Sequence, residues 1–243
     1  MKLNKDKTRI LAFKESIKSV YVLSVAEQGV KILQDVRKLT EESPFPNTFA
    51  FSQRFYDFES FVVFNKEMNS NVFLALAAVW LVVYINTGNT IVTNFIMLCV
   101  ALVDLFLFAL LYFWGVTLNS VTVVNIVIAI GLAVDYSAHI GHAYLTVKPP
   151  THDENGKELS DMEKRQFKAR GALKEIGGSV FHGAFSTFLA ILVLGPSKSY
   201  IFMTFFKMWF GIIVFGCANG FILLPVLLSL WGPLTEIEKV KPK

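Results

Sequence analysis

A chain of 243 residues that is 53% hydrophobic and 14% aromatic, with a mean hydropathy of +0.51, has the make-up of an integral membrane protein and not of a soluble domain. Its net charge is only +4, and no run of Lys and Arg alternates with aromatics, which argues against a nucleic-acid partner. Cys99 and Cys217 lie within apolar stretches and read as small buried hydrophobes, and no metal, phosphate or dinucleotide motif is present, so no catalytic residue, metal site or cofactor is assigned.

Residues 1–70 differ in kind from the rest. Lys2, Lys5, Lys7, Arg9, Lys14 and Lys18 crowd the start, and no apolar run follows them, so they do not form a signal peptide. Tyr21 to Ser24 is a short β-like run. Ala26 to Leu39 carries Val30, Leu33 and Val36 at helical spacing and predicts an amphipathic helix. Ser43-Pro44-Phe45-Pro46-Asn47 breaks it. Phe49 to Asn69 is rich in aromatics and has the character of a segment entering a membrane interface.

Five apolar spans follow, at about 71–86, 91–113, 119–147, 179–195 and 200–231, each near the ~20 residues that cross ~30 Å of hydrocarbon. Asn86-Thr-Gly-Asn89 and Trp114-Gly-Val-Thr-Leu-Asn119-Ser120 are turns, with Asn119 or Ser120 as the cap of the third span. Lys148-Pro149-Pro150 ends that span. In the loop 148–177, Ser160 to Ile176 predicts an amphipathic helix with Met162, Phe167, Ala169, Leu173 and Ile176 on its apolar face, lying along the membrane surface. Lys148, Lys157, Lys164, Arg165, Lys168, Arg170 and Lys174 make this loop strongly basic, and Lys239, Lys241 and Lys243 do the same for the tail 234–243. The positive-inside rule puts both in the cytosol and residues 1–70 outside it or in a lumen, in a plasma or internal membrane. A domain so placed needs an upstream span to export it, which points to the chain being the C-terminal part of a longer protein.

The order and spacing of several short patterns carry a resemblance. Trp114-Gly-Val-Thr-Leu-Asn-Ser-Val leads through Asn125 into Gly131-Leu-Ala-Val-Asp135-Tyr-Ser-Ala-His139. Gly178-Ser-Val-Phe-His-Gly183 and Phe205-Phe-Lys-Met-Trp follow, and Gly216-Cys-Ala-Asn-Gly220 runs on to Pro225 and Pro233. From about Phe49 to Pro233 this resembles the C-terminal half of the Patched and Niemann–Pick type C proteins of the resistance-nodulation-division (RND) superfamily, and most the Patched-domain-containing branch. The resemblance implies an all-α bundle that supplies the eighth to twelfth of twelve spans in two repeats, preceded by the end of an extracytosolic α/β domain. It implies movement of a sterol or other lipid, driven by a proton or cation gradient, with an N-terminal half or partner chain supplying the first repeat. In that family G-x-x-x-D or G-x-x-x-E marks the coupling acid. Gly131 and Asp135 match the first form, and Asp135-Tyr136 resembles the Asp-Tyr pair of mycobacterial lipid exporters. Several Patched and Niemann–Pick proteins carry Glu at this position. A non-transporting lipid-binding receptor or scaffold, and a truncated fragment without function, are the competing readings.

The residues support this independently. Asp135 sits near the middle of an apolar run from Val121 to Val147, where an acid costs about 2.5–3.5 kcal/mol on insertion scales. Gly131, Asp135 and His139 are spaced i, i+4, i+8 and share one helical stripe, so Gly131 invites a neighbouring helix and Asp135 and His139 are placed to share a proton. Tyr136 joins them as a supporting residue by the resemblance. His139 reads equally as a group facing water near the cytosolic end, and His142 as interfacial. Asp104 is a second intramembrane acid, facing a substrate path, a water-filled crevice or a helix of the missing half. His182, Ser186, Thr187 and Asn219 are secondary polar candidates, with bonding between helices the more usual role for such groups. Lys207 reads as snorkelling to headgroups, and Pro225 as a kink. No nucleophile–base pair stands out, so an enzyme is not expected.

Overall fold

The computed structural model of the protein describes residues 2–3, 10–12, 26–45, 47–152 and 158–234. The β-like run Tyr21 to Ser24 and the tail beyond residue 234 lie outside these. The chain divides into two compact units, residues 1–66 and 67–243.

In the first unit, strands β1 (Lys2–Leu3) and β2 (Ile10–Ala12) pair antiparallel. Helix α1 (Ala26–Glu41) follows, and helix α2 (Phe55–Thr87) begins within this unit. Gly29 of α1 leaves the space that the Phe58 ring fills, and Arg37 of α1 pairs with Glu59 of α2. Phe45, Phe49, Phe51 and Tyr56 are exposed.

The second unit is the all-α bundle. It contains the remainder of α2, then α3 (Thr90–Phe113), α4 (Ser120–Thr146), α5 (Asp161–Leu192) and α6 (Tyr200–Ala218). A π-helical turn (Asn219–Leu223) joins α6 to α7 (Leu224–Trp231). Among the described residues, five stretches are long and apolar enough to span a membrane: Glu67–Thr87, Thr90–Phe113, Ser120–Thr146, Asp161–Leu192 and Tyr200–Trp231.

The helix starts are built by their caps. Asn89 accepts from the N–H groups of Ile91 and Val92 at the head of α3. Of the two cap candidates before α4, Asn119 serves: its side chain accepts from Val121 and Thr122, and Thr122 reciprocates on the Asn119 N–H. Ser160 and Glu163 form the same box at α5. Gly88 and Gly115, at φ +59° and +58°, take the left-handed turns after α2 and α3 that a side chain would resist.

Helix α4 is central and packs on α3, α5 and α6. The stripe Val92, Ile96, Cys99, Val103, Leu107 of α3 meets Ala129, Ile130, Ala133 and Ile140 of α4 in one buried cluster. Gly141 leaves room there for Ile96. The span Glu67–Thr87 lies at the edge of this core, mostly exposed, with Val83 buried in the cluster. Val72, Leu76, Val79 and Val83 face the cluster, and Trp80 Nε1 donates to Asn94 at 3.0 Å while Thr87 and Thr93 share a hydrogen bond at 2.8 Å.

The loop 148–177 differs from the sequence expectation. The predicted surface helix Ser160 to Ile176 and the fourth span are one unbroken helix, Asp161–Leu192. Its first half packs on the bundle. Ala169 and Ala172 are buried, and the fully buried Lys168 lies over the Tyr144 ring at 4.9 Å. Arg165 donates to the carbonyls of Gly232 at 2.8 Å and Leu230 at 3.3 Å, closing the end of α7. Met162 and Phe167, on the apolar face read from the sequence, are exposed. The face that packs is the small-residue one, because alanines and Gly171 let the helix approach α4 closely: a methyl on Gly171 meets Val147 at 2.8 Å.

The break expected at Pro225 takes a specific form. Proline has no N–H to donate and its ring crowds the preceding turn. The chain answers with a widened turn just before it, in which the Leu224 N–H bonds back to Asn219.

Candidate functional site

Between α4 and α5 lies an open groove of about 410 Å3. From α4 come Leu132, Asp135, Tyr136 and His139. From α5 come two adjacent stripes, each at i, i+4, i+8 spacing: Ile176, Val180 and Ala184 on one, Ser179, Gly183 and Thr187 on the other. One wall stripe is therefore apolar and the other hydroxyl-bearing. Gly183 meets nothing within 4 Å of a built Cβ, so the groove keeps its width there.

Asp135 and His139 are both exposed on the outer side of α4, and neither forms a hydrogen bond or ion pair with any described residue. The pair does not hydrogen-bond to itself, although the one-turn spacing placed the two side chains on the same stripe. Gly131, one turn before Asp135, is exposed with no atom near its built Cβ. The whole Gly131–Asp135–His139 stripe thus faces away from this chain's own core.

Tyr136 points elsewhere. One residue along a helix turns a side chain by about 100°, and this carries Tyr136 to the buried face. Its ring fills the notch at Gly216, where a methyl would sit 2.5 Å from Cδ2, and its carbonyl abuts Gly220. Asn219, in the π-helical turn beside that notch, donates to the Cys99 carbonyl at 3.1 Å, and the Cys99 thiol lies 3.9 Å from the Asn219 carbonyl. Tyr136 consequently links the groove to α6 through packing, and the turn is fixed to α3 on its other side.

The remaining candidates divide. Thr187 lines the groove and donates to the Gly183 carbonyl at 3.0 Å. Ser186, one residue earlier, is exposed and does not line it. His182 is exposed and lies edge-on to the Phe181 ring. Asp104 is buried within the bundle, on α3, which contributes nothing to the groove. His142 is exposed, and the Lys207 ammonium lies over the Trp114 ring at 5.8 Å. Ser179 and Gly183 were missed as site residues in the sequence, although their spacing to Thr187 marks the stripe. Asn125, which accepts from the Trp209 indole at 3.0 Å, was seen only as part of a pattern. Among the described residues no group of His, Cys, Asp and Glu is arranged to hold a metal ion.

An all-α bundle of membrane-spanning helices, with an acid exposed in the middle of a central helix, defines a polytopic membrane protein. The AcrB/AcrD/AcrF family model matches residues 17–230, and the chain belongs to that family. It is a Patched/Niemann–Pick-like RND protein. It is 30% identical over 227 residues to a protein named NPC intracellular cholesterol transporter 1 homolog 1b from Drosophila melanogaster, covering 89% of this chain and 17% of the relative. It is 32% identical over 208 residues to NPC intracellular cholesterol transporter 1 from Sus scrofa, covering 84% and 15%. Protein patched homolog 1 from Caenorhabditis elegans matches at 34% over 125 residues, covering 51% and 8%. The chain spans less than a fifth of the length of these relatives.

Proposed function

We propose that this chain is the second-repeat half-bundle of an RND-type sterol or lipid transporter, and that Asp135 is its coupling acid, with His139 beside it and Tyr136 holding the helix. The reading rests on one observation: a mid-span carboxylate that this chain leaves exposed and unpaired, on a stripe cleared by Gly131. An intramembrane acid facing lipid is strongly disfavoured, so a stripe of this kind belongs against a helix or a water-filled cavity. A first repeat, in the same polypeptide or in a partner chain, supplies that neighbour. The groove beside it, apolar on one stripe and hydroxyl-bearing on the next, suits a largely apolar molecule with a small polar group. In this reading residues 1–70 close an extracytosolic α/β domain, and the basic loop and C-terminus face the cytosol.

The test is Asp135→Asn in the full-length protein that carries this chain, reconstituted in vesicles with and without a proton or sodium gradient. Gradient-dependent efflux of a labelled sterol or phospholipid should fall by an order of magnitude or more, with lipid binding retained. Unchanged gradient-dependent transport removes Asp135 from the mechanism. Binding with no transport in the wild type itself favours the receptor or scaffold.

A further inference from the structure

The second acid in the membrane, Asp104, is in a different position from Asp135. It lies in the interior of α3, 14 residues from Thr90 and 9 from Phe113, and its side chain is only 5% exposed. Both carboxyl oxygens are buried, and no described residue bonds to either. The helix packs on α4, α6, α7 and the π-helical turn, so Asp104 is enclosed by this half-bundle itself. A helix from outside reaches those oxygens only by opening the bundle.

The ionisable groups on the surrounding elements are engaged or exposed elsewhere, and the buried hydroxyls Ser137 of α4 and Thr204 of α6 form no hydrogen bond to Asp104. On α4, Asp135, His139 and His142 are exposed, Tyr136 fills the Gly216 notch, and Tyr144 lies beneath Lys168. On α6, Lys207 lies over Trp114 and Cys217 packs in a separate cluster around Tyr136, Ala184 and Ile213. Asn219 is committed to Cys99, and α7 carries no ionisable side chain. The residues buried one turn either side of Asp104 on its own helix, Val100 and Leu107, are aliphatic. A bare carboxylate in such surroundings is among the least tolerable arrangements in a protein, since neither a counter-charge nor donors offset its lost hydration.

We propose that the Asp104 carboxyl group holds a proton inside this half-bundle, at a site separate from the α4–α5 groove. The bound proton removes the net charge that the enclosure cannot otherwise support. The site is complete within this chain, whereas the exposed Asp135 stripe is not, so the two acids respond to different events. One changes its surroundings when a neighbouring helix arrives, the other when α3, α4 and α6 separate.

Infrared spectra of the full-length protein in lipid nanodiscs test this, taken as wild type minus Asp104→Asn in sodium buffer and in sodium-free choline buffer at neutral pH. The expected result is a protonated-carboxyl C=O band in choline buffer that Asp104→Asn abolishes and Asp135→Asn leaves intact. Persistence of the band in sodium supports the proton, and its loss there overturns it. Absence of any Asp104-dependent carboxyl band in choline buffer overturns the proposal, as does a band that disappears in Asp135→Asn instead. Should Asp104→Asn not be recovered folded, Asp104→Glu takes its place, with a shift of the same band as the supporting result and an unshifted spectrum as the opposing one.

Discussion

Gly220 approaches the backbone of Tyr136 so closely that a methyl group on it would lie 2.9 Å from the Tyr136 carbonyl oxygen and 3.2 Å from its carbon. Four residues earlier, Gly216 meets the ring of the same tyrosine. Two glycines one turn apart therefore set the distance between α4 and the fifth span at the level of the candidate acid.

The two glycines should respond differently to a methyl group. At Gly216 the obstacle is an aromatic side chain, which can shift; at Gly220 it is helix backbone, which cannot shift without moving α4. Gly220→Ala is expected to destabilise by about 1–3 kcal/mol, the usual range for overpacking, and Gly216→Ala by less. Thermal unfolding of the purified protein in detergent gives the ranking, and an equal or reversed order contradicts the backbone contact.

Gly131 supplies the converse case. No described atom beyond its own helix lies within 4 Å of its built Cβ, so a methyl there meets no described neighbour. In the full-length protein Gly131→Leu should lower both stability and gradient-dependent transport, because in the proposed assembly the surface it crowds meets a helix of the first repeat. A full-length Gly131→Leu protein with wild-type behaviour shows that the α4 stripe faces lipid or water.

Asn219 joins the π-helical turn to α3 through the Cys99 carbonyl. Replacing it with Ala removes one interhelical hydrogen bond, worth about 0.6–2 kcal/mol in a membrane. The loss should be local: hydrogen exchange in 217–225 should quicken well before exchange in 120–146 does. Uniform change across both segments argues against a separate role for the turn.

Arg165 closes the end of α7 by donating to Leu230 and Gly232. Arg165→Gln keeps a polar group but removes the charge, and should cost about 0.3–2 kcal/mol, the range for a cation at a helix C-terminus. Faster exchange at residues 228–232 with the α3–α4 core unaffected is the expected signature.

Much of the bundle was legible because each span declares itself by length and hydropathy, and Asn86–Asn89 and Asn119–Ser120 carry their turn and cap chemistry openly. The unity of α5 was not. The polar, basic stretch 148–177 reads as a surface segment ahead of a span beginning at 179. Those features are instead accommodated tertiarily, with Lys168 buried over Tyr144 and Arg165 spent on α7, contacts between residues far apart in the chain. The site shows the same division. The stripe from Gly131 to His139 follows from helical spacing alone. That Asp135 would be exposed and Asp104 enclosed does not, because each depends on which neighbours occupy the two sides of α3 and α4. The π-helical turn was invisible too: Pro225 announces a disturbance, but whether it becomes a kink or a widened turn is decided by what Asn219 and Gly220 touch.

One consequence follows from the continuity of α5. Its 32 residues make a rod of about 48 Å, well beyond the ~30 Å of hydrocarbon. One end is bolted to the foot of α7 by Arg165, and the far portion carries Ser179, Gly183 and Thr187 along the groove. With no joint between them, a tilt imposed at the foot arrives at the groove wall as a lever transmits it. The basic surface at one end of the rod and the hydroxyl stripe along the other therefore move as a single mechanical part.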